Sequence, residues 1–116
     1  GGRMITYQDL CDKGPCNAPS LWVSEDWQGE LADLYALPNL EPANKILMAV
    51  WFLSESELRG FALWCAEQSG SAKSARFAES NPYQAAAWFA AKYAVEFGQP
   101  IEEQIQYLID LELSRG

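Results

Sequence analysis

Three cysteines, sixteen carboxylates and no histidine are the residues through which this chain of 116 residues could do chemistry. The foremost candidate nucleophile is Cys65, in "FALWCAEQ". A thiol attacks as thiolate, and forming one near neutral pH takes a basic or positive neighbour, usually histidine. On a helical period Cys65 instead centres the stripe of Leu58, Phe61 and Ala62, the place of a small buried apolar residue. Cys11 and Cys16, in "CDKGPC", lack the spacing of a C-x-x-C redox pair. A tetrahedral zinc site needs four nitrogen or sulfur ligands, which three cysteines without histidine do not supply in one chain. A disulfide between Cys11 and Cys16 is open on geometry if the loop curls back, but reduced thiols are the default of a cytoplasmic protein. Among the acids, Glu30 with Asp33 and Glu102 with Glu103 read as solvated helix faces. No calcium, dinucleotide or phosphate loop occurs, and the commonest general base near neutral pH is missing. The expectation is a non-enzyme with no catalytic residue, no metal and no cofactor.

The formal charge is −8, and it sits at the ends. Residues 1–41 hold seven acids against two bases and residues 93–116 five against one, while the middle is nearly balanced. Such a field repels phosphates, so direct binding to nucleic acid or to an anionic membrane is not expected. The longest apolar run, Ile46 to Leu53, is too short to span a bilayer, and no signal peptide is evident. Gly1–Arg3 read as an appended scar before a natural start at Met4, leaving one domain over residues 4–116.

Helical punctuation positions these groups. Thr6 and Asp9 have capping-box spacing, with Gly14-Pro15 as the stop. Ser24, Glu25 and Asp26 open a second helix whose apolar face is Trp27, Leu31, Leu34 and Tyr35. A central helix over about 42–53 starts at Pro42, and its "KILMAVWFL" is apolar all round, as in a helix buried on several sides. Ser54 and Glu57 cap the next helix, which runs to about Gln68. "SGSAKS" reads as a loop or frayed helix start, and residues 75–80 as a short helical turn. Asn81 and Pro82 begin a helix that Gly98 ends, and a last helix carries Ile101, Ile105, Leu108 and Ile109. Strand patterns are absent. The spacing predicts an all-α single bundle of five or six helices, with a C-terminal hairpin (about 82–97 and 100–113) packed on the central helix.

Within 82–97, Tyr83, Ala86, Ala87, Ala90, Tyr93, Ala94 and Phe97 fall within about 120° and form a core face. Trp88 lies opposite, with Val95 seven residues on and Lys92 between. Trp64 likewise projects away from Leu58, Phe61 and Cys65. These tryptophans are either core residues of helices buried on two sides or an exposed aromatic patch, since tryptophan dominates interface hot spots. Gly60 beside Trp64 favours burial there. Lys92 and Glu96 keep the Trp88 side wet, which favours a contact surface made of Trp64, Trp88, Lys92 and Val95.

"LWCAEQ" followed by "NPYQAAAWFAAKYAVEFGQP" resembles small uncharacterised helical bacterial proteins, some labelled immunity or secretion-associated, over about residues 46–111. The resemblance implies a small acidic partner-binding chain of the mobile-cassette or defence-locus kind, with no catalytic residues to carry over. The leading expectation is a cytoplasmic protein–protein interaction module of immunity, adaptor or inhibitor type. Its partner would be a protein, basic by charge, with a nucleic-acid-mimicking inhibitor as one variant and a homodimer as a further option. The runner-up is a small-molecule binder with an aromatic-lined pocket between helices, and third comes an enzyme with clustered carboxylates in a cleft.

Overall fold

Local capping sets most of the element boundaries. The computed structural model describes residues 4–13, 20, 22–80 and 84–114. In chain order these form β1 (Met4–Thr6), α1 (Tyr7–Lys13), β2 (Gln28–Glu30), α2 (Leu31–Tyr35), α3 (Pro42–Val50), α4 (Glu55–Ser69), α5 (Ala72–Glu79), α6 (Gln84–Glu96) and α7 (Ile101–Leu113). Helix makes up 70% of the described residues, an all-α bundle with one small sheet. At α1 the Thr6 amide donates to Asp9 Oδ2 at 2.9 Å and the Asp9 amide to Thr6 Oγ1 at 3.1 Å. At α4 the Ser54 amide donates to Glu57 Oε1 at 2.8 Å and the Glu57 amide to Ser54 Oγ at 3.3 Å. Both are reciprocal capping boxes, each meeting two amides that a helix start leaves orphaned. Pro42 opens α3 as expected.

Several expectations are corrected. Strands do occur: β1 pairs antiparallel with β2, matching Met4 to Glu30, Ile5 to Gly29 and Thr6 to Gln28. This pairing takes Gln28–Glu30, which fall inside the helix expected to open at Ser24, Glu25 and Asp26, and the Tyr7 amide extends it by donating to Trp27 O at 3.1 Å. Helix therefore starts only at Leu31. Glu30 and Asp33, expected on a solvated helix face, close a third capping box there. Gly29 makes room for it, since a Cβ at that position would lie 2.8 Å from Asp33 Oδ2 and 2.9 Å from the Trp27 ring.

Of the two readings open for "SGSAKS", a loop or a helix start, the helix start is the one found. Ser71 Oγ accepts from the Ser74 amide at 3.2 Å, and α5 follows, which brings the helix count among the described residues to seven. Phe97 leaves the core stripe at 65% exposure. It lies beyond the last turn of α6, where the chain reverses at Gly98 (φ +123°). The expected caps Asn81 and Pro82, the stripe residue Tyr83, the Gly14-Pro15 stop and Cys16 lie outside the described residues, so the Cys11–Cys16 disulfide does too. Cys11 itself is exposed.

Packing places α6 in the middle. Its small residues Ala87, Ala90, Ala91 and Ala94 are all buried, letting α4, α5 and α3 approach. One join to α5 is polar: Ser74 Oγ, wholly buried, donates to Ala90 O at 2.7 Å. Helix α7 packs on α3, α2 and α4 and is tied to α6 by the buried Gln104, whose Nε2 donates to Ala91 O at 3.0 Å. The C-terminal pair of helices thus both lie on α3.

Candidate functional site

Helix α6 has a second face, and Trp88 is on it. Trp88, Ala91 and Val95 recur at three- and four-residue steps, away from Phe89 and Tyr93, which turn toward α5. This face meets α3 and α7 without closing fully against them. The gap is a cleft of about 140 Å³, open on one side and lined almost wholly by apolar atoms.

Burial sorts the lining into depths. Ile46, Ala91 and Gln104, each 1% exposed or less, form the floor. Half-buried Ala43, Trp88, Val95 and Ile101 form the walls, and exposed Lys92 and Glu96 the rim. More charge surrounds the cleft on the elements that build it. Exposed carboxylates stand at Glu41, which precedes α3, at Glu96 on α6, and at Glu102 and Glu103 in the first turn of α7. The bases there are Lys45 and Lys92.

Three of the four expected patch residues therefore meet: Trp88, Lys92 and Val95 share the cleft. Trp64 is not among its walls. Its indole stacks on Tyr107 of α7, centroids 4.6 Å apart and planes at 28°, with Phe61 behind at 6.4 Å. Tyr107 Oη lies beside Gly60, but a Cβ there would meet it at an ordinary 3.5 Å, so the approach does not require a glycine. Beneath the stack lies Cys65, fully buried, its thiol held well above the ordinary pKa by desolvation. Burial also raises the Tyr107 phenol, with the neighbouring Cys65 adding to it. A thiol so disposed stays protonated and unreactive.

Of the floor residues, Ile46 falls in the stretch read as a buried central helix, while Ala91 and Gln104 escaped the sequence reading. Gln104 had a signal: it stands three residues after Ile101 and four before Leu108, a core register occupied by an amide. Also unforeseen is an aromatic cluster outside the cleft. Phe77 of α5 stacks with Phe89 at 5.1 Å and with Tyr93 at 5.5 Å, and Lys73 Nζ lies 5.4 Å from the Tyr93 centroid.

A larger hollow of about 460 Å³ lies between β1 and residues 51–54, lined by Met4, Trp51 and others. Its polar groups Asp9 and Ser54 are already engaged in the caps of α1 and α4. Trp51, at 39% exposure, is the most accessible tryptophan among the described residues. Among those residues, no group of three or more His, Cys, Asp or Glu could hold a metal ion, and no helix is long and apolar enough to cross a membrane.

No family model, curated protein or solved structure matches this chain.

Proposed function

We infer that this chain is a non-enzymatic protein-binding module, an immunity-, adaptor- or inhibitor-like protein of the cytoplasm, and that its contact face is the cleft between α3, α6 and α7. The observation that carries this is the cleft's size and lining together. At about 140 Å³ it is well below the roughly 300–1,000 Å³ of pockets that enclose a small-molecule ligand. It is large enough for one anchoring side chain of a partner, the usual centre of an interface hot spot. Trp88 supplies the aromatic wall, and the aliphatic parts of Lys92 and Val95 continue it.

The surrounding carboxylates outnumber the bases, and the whole chain carries −8. The partner segment this favours is basic on either side of an apolar anchor, with encounter speeded by charge. The same field disfavours nucleic acid and anionic membrane as direct partners.

The test places a photo-crosslinking residue at Lys92 in the cell of origin and compares it with the same chain carrying Val95→Glu. Capture of one basic protein that Val95→Glu abolishes, with the fold intact by circular dichroism, is the expected result. Identical capture by both chains would refute the cleft as the contact face. Capture of the chain's own second copy would replace the basic partner by a homodimer.

A further inference from the structure

The hollow between β1 and residues 51–54 shares no lining residue with the cleft. At about 460 Å³ it falls within the roughly 300–1,000 Å³ of sites that hold a small ligand. Its accessible lining is mostly polar, where that of the cleft is apolar. Two polar side chains line it, and one is spent: Ser54 Oγ accepts from the Glu57 amide at 3.3 Å and lies 3.3 Å from Ser56 Oγ. Asp9 has an oxygen to spare. Its Oδ2 takes the Thr6 amide at 2.9 Å, while Oδ1 has no hydrogen bond or ion pair among the described residues. Strand pairing turns that carboxylate toward the hollow. Residues of an antiparallel pair alternate between exchanging hydrogen bonds and turning their amides outward. Tyr7 bonds to Trp27, so the Thr6 amide points away from β2, and Asp9 meets it there. The hollow lies on that side, bounded by Met4, Ile5 and the turn after α3 and by no residue of β2. Half-buried Asp9 is the one charged residue lining it among the described residues, and Trp51 is its exposed ring. Arg59 lines a separate recess that shares only Ser54 with this one.

We propose that the hollow binds a small organic cation, a free alkylammonium whose charged head lies between Asp9 and the Trp51 indole and whose apolar body rests on Met4. Tryptophan is the ring that attracts a cation most strongly. The unpaired carboxylate oxygen supplies a counter-charge and a hydrogen-bond acceptor, and the field of a chain carrying −8 draws cations toward it. An anion meets Asp9 and that field with no base on the lining to offset them. A neutral ligand gains from neither the carboxylate's charge nor the ring's quadrupole.

The experiment titrates the full-length, ¹⁵N-labelled chain at neutral pH with n-butylammonium, 1-butanol and butanoate, reading the Trp51 indole and the Asp9 and Ser54 backbone amides. The expected result is saturable binding of butylammonium about tenfold tighter than that of 1-butanol, with butanoate weaker still. Asp9→Asn keeps an acceptor for the Thr6 amide, so the cap of α1 stands, and it should remove the preference for butylammonium. Trp51→Leu, at an exposed position, should reduce that preference severalfold. If neither variant folds, the wild-type comparison decides alone. Equal binding of butylammonium and 1-butanol would overturn the cation. Butylammonium shifts as large at the Glu102 and Glu103 amides as at the hollow would overturn the site, since any exposed carboxylate would then serve. No change at the hollow's signals with any probe would overturn it too. A blocked Ala-Ala-Lys-Ala-Ala peptide should bind no more tightly than butylammonium, because its lysine offers the same group. Tighter binding would overturn the free amine in favour of a lysine of a protein.

Discussion

Cys65 and Ser74 show how single buried groups constrain this protein. Cys65 is a packing residue, so it should react with thiol reagents only as fast as the fold opens. Cys65→Ser should cost about 1–3 kcal/mol through a buried hydroxyl without a good partner, measurable by urea titration. The thiol also sets a pH limit. In the unfolded chain it ionises near pH ~8.5, while burial keeps it protonated in the fold well above that. The unfolded state thus releases its proton first. Stability is full below about pH 8.5 and falls as pH rises, by up to about 1.4 kcal/mol per pH unit. Tyr107, shifted the same way, adds to the fall from about pH 10. Urea titrations between pH 7 and 10 check this, and Cys65→Ala should flatten the lower part of the decline. Ser74→Ala removes the bond to Ala90 O and should lower stability by about 1 kcal/mol.

Elements in this chain are as legible as their signals are local. The boxes at Thr6–Asp9 and Ser54–Glu57 lie within one turn, and Pro42 acts on its own residue, so sequence alone places those helix starts. Strands of three residues are too short for a period of two to register, and β2 exists because β1 is there to pair with it. Helical period also put Trp88, Lys92 and Val95 on one face. What covers that face was not legible, since it depends on where α3 and α7 pack, and Trp64 meets its partner Tyr107 more than forty residues further along. The end of α6 is the sharpest test at this scale. Gly98 has φ +123°, with Gln99 donating back to Ala94 O at 3.0 Å. Gly98→Ala should cost about 1–3 kcal/mol because a side chain strains that backbone. A melting curve unchanged by the substitution would refute this account of the turn.

Across the whole molecule Trp64 and Trp88 separate by what lies against them. Trp64 is held between Tyr107 and Phe61, so Trp64→Ala should destabilise by about 2–4 kcal/mol. Trp88 has one side on the open cleft, and Trp88→Ala should cost clearly less while weakening association with the partner. Equal losses of melting temperature would contradict the division into core and contact surface. The placing of the cleft has one more consequence. Helices α4, α5 and α6 are consecutive and pack on one another, whereas β1 with β2 and α2 with α7 join stretches far apart in the chain. Short-range contacts close at small entropic cost, so the three-helix group should assemble first, with α7 and the N-terminal arm docking late. The cleft lies on the seam between that early group and the later pieces. Amide exchange should therefore be faster along α7 than along α6, and rare partial unfolding of this seam, rather than unfolding of the whole chain, would set how quickly a deeply seated anchor enters and leaves.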